Sequence, residues 1–165
     1  MAVSPKKQLA LDANLLLDLA EGKDFAHEFR EEFQSRHYEL LVPPTAAAEL
    51  NVLSLYGGEP QRAFASQALR QLREWQCQLY LLSDTKLAIA GQFGRRLLEL
   101  RLVPAEEWND GRILGETSLA GIPLLVTSDK HLLDIDEDAL LLAFNDADLL
   151  PVHAVHPKRL LRALR

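Results

Sequence analysis

The sequence has few of the features that would crosslink the chain or place it in a membrane. Cys77 is the only cysteine among 165 residues, so neither an internal disulfide nor a cysteine metal cluster can form. No apolar run reaches the roughly 18 residues that a transmembrane helix requires, and Asp12 and Asp18 break the first apolar stretch where a signal peptide would be continuous. These absences predict a cytoplasmic protein with no membrane association, in which Cys77 is a buried, small apolar residue.

The chain also lacks the excess of basic residues that is typical of proteins binding nucleic acid by bulk attraction. Its formal net charge is -6. Any nucleic acid must therefore be met by a local basic patch or by a metal ion. One segment stands apart, because residues 156–165 contain no acid and four basic residues: Lys158, Arg159, Arg162 and Arg165.

Composition and length are ordinary for a soluble globular domain, with 48% hydrophobic and 25% charged residues. We expect one domain over residues 1–165, a common domain size. Short apolar segments predict strands, of which IPLLVT is the clearest; they lie at 7–11, 38–42, 122–127 and 151–156. The segment 79–82 fits either a short strand or the continuation of a helix.

Longer amphipathic segments separate these strands and predict helices. They lie at 14–21, 23–36, 46–56 (with Thr45 as its cap), 60–75, 84–102 (with Ser83 as its cap) and 104–120, followed by short helical turns in 129–150 and a terminal helix from Pro157. Strands that alternate with helices indicate βαβ units. The sequence therefore predicts a three-layer α/β/α fold around a mainly parallel central sheet.

Acidic residues follow two of the predicted strands. Asp12 comes directly after the first strand, and Asp129 lies two residues beyond the strand 122–127. Because ligands of such sheets bind at the carboxyl ends of the strands, we expect both side chains at one edge. Glu49 and Asp110 lie in otherwise apolar helical segments, and Asp110 shares a helix face with Ile113.

Four carboxylates at one sheet edge would repel each other unless a cation lay between them. Ligation by oxygen alone suits Mg²⁺ or Mn²⁺ rather than Zn²⁺. Phosphate-binding glycine loops and the signatures of serine hydrolases are absent from the sequence.

Each acid also has a purely structural interpretation. Asp12 and Asp129 are well placed to cap the helices that follow them, whereas Glu49 and Asp110 taken singly fit a solvated helix face. The joint order of the four acids along the chain favours a common site.

Three segments carry that order: LALDANLLLDLA, PPTAAAELNVL and NDGRILGETSLAGIPLLVTSDKHLL. Together they resemble the PIN-domain ribonucleases. The resemblance implies a PIN-like fold and a metal-dependent endoribonuclease. It assigns catalysis and the ligation of one or two Mg²⁺ or Mn²⁺ ions to Asp12, Glu49, Asp110 and Asp129. It further implies that neighbouring polar side chains orient these ligands, namely Asn14, Thr127 and Ser128.

The resemblance also implies partners, because many PIN proteins are toxins of toxin–antitoxin pairs. We therefore expect an RNA substrate, a small antitoxin protein and a homodimer. Two other functions stay open on the sequence alone. One is a non-catalytic PIN-like module that binds RNA or protein. The other is an acid-site phosphohydrolase or phosphotransfer receiver, which the Asn at position 14 disfavours because such enzymes usually carry an Asp-x-Asp pair.

Several further residues are weaker candidates for the site. Glu106 shares a predicted helix face with Asp110, Glu116 lies about 120° away from it, and His131 follows Asp129 closely. His153 and His156 lie three apart on a predicted strand and so face opposite sides. Phosphate contacts could come from the basic tail and from five arginines: Arg62, Arg70, Arg73, Arg95 and Arg96. Arginines of this kind more often belong to solvated helix faces.

Overall fold

A five-stranded parallel sheet forms the centre of the protein in the computed structural model, which describes residues 7–165. The strand order is β3-β2-β1-β4-β5, and each of the four neighbouring pairs is parallel. The strands are β1 (Gln8–Leu11), β2 (Glu39–Val42), β3 (Cys77–Leu79), β4 (Leu124–Val126) and β5 (His153–Val155). The predicted α/β fold with a mainly parallel sheet is confirmed. Residues 1–6 of the predicted domain lie outside the described residues.

Helices connect the strands and flank the sheet. They are α1 (Ala13–Glu21), α2 (Asp24–Ser35), α3 (Pro44–Tyr56), α4 (Gln61–Gln71), α5 (Asp84–Glu99), α6 (Trp108–Leu119), α7 (Lys130–Leu133), α8 (Glu137–Asp146) and α9 (Pro157–Ala163). Helix α1 packs on α3 and α4, α5 packs on α6, and α2 packs on α9. Among residues 7–165, no helix combines the length and the apolar character needed to cross a bilayer.

The structure resolves or corrects three local predictions. The undecided segment begins two residues earlier than expected and is strand β3, with Cys77 buried at its start. The predicted helix 60–75 is shorter, because α4 ends at Gln71 and a turn leads into the strand. Thr45 does not cap α3: Pro43 holds the cap position, and Thr45 lies inside the first turn. Pro44 at the first helical position explains this earlier start, since its fixed φ suits a helix beginning.

The predicted helix 104–120 divides into two parts. Residues Ala105–Glu107 form a 3-10 turn, and α6 begins only at Trp108. The 3-10 turn winds more tightly than an α-helix, so residues before position 108 do not keep the α-helical spacing to Asp110. This changes which glutamate faces Asp110.

Close contact between α5 and α6 fixes the position of α6. A Cβ atom added to Gly111 would lie 2.9 Å from the Cα of Gly94, and one added to Gly94 would lie 2.9 Å from the backbone nitrogen of Arg112. Only glycine permits such an approach. Gly111 lowers the helix propensity of α6, but it lets α6 pack closely on α5, and this packing fixes the position of the neighbouring Asp110.

The order of strand addition reverses between β1 and β4. The chain adds β2 and β3 on one side of β1 and then adds β4 and β5 on the other side. Such switch points are where parallel α/β sheets bind ligands. In the register of this pair, Leu11 lies opposite Val126, and the backbone N–H of Asp12 donates to the carbonyl of Val126 at 3.0 Å. Asp12 therefore lies beside Thr127, directly after the end of β1.

Candidate functional site at the carboxyl edge of the sheet

Asp12 is a buried carboxylate at the end of β1, with 2% of its surface exposed. It stands at the cap position of α1, but its side chain makes no capping hydrogen bond. Instead, Oδ2 accepts a hydrogen bond of 2.8 Å from the hydroxyl of Thr127. The pKa of Asp12 is raised to about 6: burial is the largest cause, the hydrogen bond from Thr127 offsets part of it, and the charge of Asp129 adds to it.

Asp129 is held by the loop that follows β4. Its backbone N–H donates to the Thr127 hydroxyl oxygen at 3.0 Å, so one threonine contacts both acidic positions. Its side-chain Oδ1 accepts from the backbone N–H of His131 at 3.0 Å and caps α7. The capping interpretation of Asp129 thus holds for one of its carboxylate oxygens, while its charge still acts on Asp12.

Asp110 occupies the first turn of α6 and is 4% exposed. Its Oδ2 atom is buried and has no hydrogen-bond partner among residues 7–165. Its pKa is raised to about 9, first by burial and then by the charges of Asp12, Asp129, Glu107 and Glu49, in that order. A buried oxygen without a donor, surrounded by charges of its own sign, is an expensive arrangement for a protein to maintain.

The structure brings Glu107 to this group, a residue that the sequence analysis did not select. One ligand atom each from Glu107, Asp110 and Asp129 lie within 4.8 Å of one another. Glu106, which the predicted helix placed on the Asp110 face, is exposed instead. The cause is the 3-10 turn before α6. The acidic pair at 106–107 was visible in the sequence, but the local helix type that selects one member was not.

Glu49 approaches from α3 and is half-buried. Its pKa is raised to about 7, first by burial and also by the charges of Asp12, Glu107 and Asp129, while the side chain of Asn109 offsets part of the rise. All four acids chosen from the sequence therefore influence one another electrostatically, together with Glu107. We call these five residues the acid cluster: Asp12, Glu49, Glu107, Asp110 and Asp129.

Two polar residues predicted to orient the acids make no side-chain hydrogen bond to them among residues 7–165. The hydroxyl of Ser128 donates to Oδ2 of Asp18 at 2.5 Å, which turns it away from the acid cluster. Asn14 is half-buried, and its side chain makes no hydrogen bond within residues 7–165. Of the three residues, Thr127 is the one whose hydroxyl forms hydrogen bonds with Asp12 and with the backbone of Asp129.

Glu116 is fully buried but belongs to a different contact. Its two carboxylate oxygens accept from the backbone N–H of Thr45 at 2.8 Å and from the Thr45 hydroxyl at 2.6 Å. Burial raises its pKa, whereas the hydrogen bonds from Thr45 and the charge of Arg112 lower it. Glu116 therefore joins α6 to the start of α3.

The remaining weak candidates lie outside the acid cluster or at its margin. His131 is exposed, with Nε2 3.9 Å from Oε1 of Glu107. His153 is exposed on β5, and His156 caps α9 through Nδ1. Arg62 and Arg96 pair with neighbouring glutamates on their own surfaces.

Comparison with known proteins gives a structural match. Neither protein-family models nor curated protein sequences match the chain. Among solved structures, VapBC2 from Rickettsia felis bound to a DNA fragment from their promoter aligns with a TM-score of 0.60 and 13% identity, covering 90% of this chain and 98% of that chain. VapBC-1 from nontypeable Haemophilus influenzae aligns with a TM-score of 0.58 and 12% identity, covering 92% and 98%.

Structural similarity at 12–13% sequence identity shows the fold alone, so the chemistry has to be argued from the residues of this chain. The two alignments span 90% and 92% of this chain. The resemblance noted in the sequence is thereby confirmed at the level of the fold, and the chain is a PIN-like α/β protein similar in structure to these VapBC proteins.

Proposed function

We propose that this protein is an endoribonuclease that hydrolyses RNA phosphodiester bonds with Mg²⁺ or Mn²⁺ held by the acid cluster. The observation that carries the proposal is the buried, unpartnered Oδ2 of Asp110 among four other carboxylates. Supporting it are the PIN-like fold and the position of the cluster at the switch point of the sheet.

The donor set fits a hard divalent cation. Glu107, Asp110 and Asp129 offer carboxylate oxygens within 4.8 Å of one another, and the cluster contains neither sulfur nor imidazole. This composition favours Mg²⁺ or Mn²⁺ over Zn²⁺. A cation there would supply the missing partner of Asp110 and offset the mutual repulsion that raises the pKa values of Asp12, Glu49 and Asp110.

The roles of the chain's own residues follow from their contacts. Glu107, Asp110 and Asp129 would hold the ion directly, with Asp12 and Glu49 as further ligands or as acceptors for its bound waters. Thr127 fixes the Asp12 carboxylate by donating to it, and fixes the backbone of Asp129 by accepting from it. When bound, a divalent cation polarises the phosphoryl oxygen and lowers the pKa of an attacking water.

We also propose that the protein is a toxin with a small antitoxin partner, that it forms a homodimer, and that it acts on RNA in the cytoplasm. The similarity to VapBC proteins supports the antitoxin partner.

Large apolar side chains that reach the surface offer area for protein contacts, among them Leu55 (60% exposed), Tyr56 (82%) and Leu81 (91%). Light scattering should give twice the chain mass of 18.5 kDa for the homodimer; a monomer would refute that part.

The central experiment compares two adjacent glutamates. Cleavage of a labelled RNA and Mn²⁺ binding by calorimetry are measured for the wild type, Glu107→Gln and Glu106→Gln. We expect Glu107→Gln to weaken Mn²⁺ binding about 10- to 100-fold and to slow cleavage, since it loses a carboxylate ligand. Glu106→Gln removes the same charge from an exposed neighbour and should match the wild type.

Asp129→Asn provides a second arm, because this residue was selected from the sequence independently of the 3-10 turn. Its cleavage rate should fall to the background. A wild-type protein that binds RNA but neither binds Mn²⁺ nor cleaves would contradict the nuclease proposal and favour a non-catalytic RNA-binding module.

A further inference from the structure

A groove between α2 and α9 gathers positive charge on an otherwise acidic protein. It encloses a volume of about 550 Å³. Its lining includes four basic and two acidic side chains: Lys23, Lys158, Arg162, Arg165, Asp24 and Glu28. The local charge is therefore positive, whereas the net charge of the chain is -6. We call this feature the basic groove.

Two of its cations are free to contact a ligand. Lys158 and Arg162 are both exposed and lie four residues apart on α9, so they share one helix face. No acid of residues 7–165 forms an ion pair with either of them. Arg165, by contrast, lies 3.7 Å from Glu28, and Lys23 lies 3.0 Å from Asp18.

An aromatic ring supports one of the free cations. The Lys158 ammonium lies 5.3 Å from the centroid of the Phe25 ring. The imidazole of His156, which caps α9, packs against the same ring with a centroid separation of 5.2 Å. The ring therefore holds Lys158 over the groove.

The basic groove adjoins the carboxyl edge of the sheet, where the acid cluster lies. Lys23 contacts Oδ1 of Asp18, and Oδ2 of the same carboxylate accepts from Ser128, which precedes Asp129 in the chain. On the other side, α9 starts directly after β5, the strand that pairs with β4. One carboxylate thus separates the rim of the groove from the loop that carries Asp129.

We propose that the basic groove binds the phosphate backbone of the RNA that the acid cluster cleaves. The inference rests on the proposed function, and it adds the path along which the substrate approaches. An acidic site repels a polyanion, so a positive strip beside it is needed to retain the nucleic acid near the metal. Lys158 and Arg162 make the principal phosphate contacts.

The test compares two charge-reversal variants of equal size. Lys158→Glu with Arg162→Glu changes the basic groove. Arg70→Glu with Arg73→Glu changes two exposed arginines that line a different surface beside Glu39, where β2 begins. Binding of a fluorescent single-stranded RNA oligonucleotide is measured by anisotropy in EDTA over a series of salt concentrations. All four residues are exposed, and circular dichroism verifies folding.

We expect the groove variant to lose on the order of 10-fold in RNA affinity. Its slope of log affinity against log salt should become shallower by about 1.4, the value for two lost contacts to a single strand. The control variant should stay within about threefold of the wild type. Equal losses in both variants would show that bulk charge alone matters and would overturn the proposal, as would an unchanged groove variant.

Two further measurements separate this proposal from the nuclease proposal. Mn²⁺ binding by the groove variant should equal that of the wild type, because none of its residues belongs to the acid cluster. If RNA binding depends on the basic groove but the protein fails to bind Mn²⁺, the groove proposal stands and only the nuclease proposal is refuted. A poly-glutamate peptide that binds the groove when RNA does not would identify an acidic protein segment as the occupant instead.

Discussion

Two buried carboxylates on α6, six residues apart, illustrate two different fates of a charge in a protein interior. Glu116 is fully buried, and both of its oxygens accept hydrogen bonds from Thr45. Asp110 is 4% exposed, and its Oδ2 has no partner among residues 7–165. The donors of Thr45 stabilise the first charge, whereas four other carboxylates raise the pKa of the second.

Under the proposed function, this difference separates a structural acid, Glu116, from a metal ligand, Asp110. Hydrogen bonds to a buried carboxylate offset part of the cost of burying it, and its loss leaves the donors unpaired. A buried carboxylate without a hydrogen-bond donor, among other carboxylates, destabilises the metal-free protein. It becomes favourable only when a cation binds. Burial alone would have placed both residues in the same class; the partners of each oxygen separate them.

Asp110→Asn gives the largest expected effect on metal binding. Mn²⁺ affinity and RNA cleavage should each fall at least about 100-fold, because the amide replaces a central anionic ligand. The metal-free protein at pH 7 should become more stable, because Asp110, with its pKa raised to about 9, must take up a proton on folding there and an asparagine need not. Calorimetry and urea denaturation measure the two quantities. A variant that loses stability but keeps Mn²⁺ affinity would reverse the assignment.

Glu116→Gln makes the same chemical change and should have the opposite outcome. We expect the free energy of unfolding to fall by about 1–2 kcal/mol, because the charge-assisted hydrogen bonds from Thr45 are lost or weakened. Mn²⁺ affinity should stay within about twofold of the wild type. Urea denaturation and calorimetry again decide, and a large loss of Mn²⁺ binding in a folded variant would place Glu116 in the metal site.

The pH dependence of stability follows from the raised pKa values of Asp12, Glu49 and Asp110, about 6, 7 and 9. The folded, metal-free protein retains protons that the unfolded chain releases near pH 4, so this contribution to stability is fully present below pH 4 and is lost as pH rises to about 9. Each such proton changes the free energy of unfolding by at most about 1.4 kcal/mol per pH unit. Urea denaturation in EDTA at several pH values measures the decline.

Two controls sharpen that measurement. Saturating Mn²⁺ should remove the decline, because the cation favours the charged carboxylates. Asp110→Asn should flatten the curve between pH 7 and 9. A metal-free protein whose stability rises with pH over this window would contradict the raised pKa values.

Thr127→Val should weaken metal binding less than Asp110→Asn does. It removes the hydroxyl that donates to Asp12 and accepts from the backbone of Asp129, so Mn²⁺ affinity should fall about tenfold. Stability should fall by about 1 kcal/mol. Ser128→Ala is the matched control for Mn²⁺ binding, because its hydroxyl contacts Asp18. Equal Mn²⁺ affinities for the two variants would show that Thr127 does not orient the site.

Much of the fold was predictable because its signals are local. Continuous apolar segments such as IPLLVT can be buried only as strands or core helices, and the helical periodicities between them indicate crossovers. Asp12 and Asp129 were predictable for the same reason, since each follows a strand and parallel strands share their carboxyl edge. The boundaries that shifted, at Thr45 and Gln71, depend on single capping and turn residues.

Glu107, Ser128 and Glu116 show where the sequence stops being informative. Choosing Glu107 over Glu106 requires the 3-10 turn, and turning Ser128 toward Asp18 requires the packing of α1 beside β4. The pairing of Glu116 with Thr45 joins residues 71 positions apart. No periodicity within one segment encodes such contacts.

The sequence by itself determined the order of strands and helices, the acidic residues that end β1 and precede α7, and the excess of positive charge in the tail. The tertiary structure decided which carboxylates share a site, which one is satisfied by a distant threonine, and which groove brings Lys158 and Arg162 beside that site. The physical reason is range: backbone preference and burial act over a few neighbouring residues, whereas hydrogen-bond partners and electric fields depend on distances in the folded molecule.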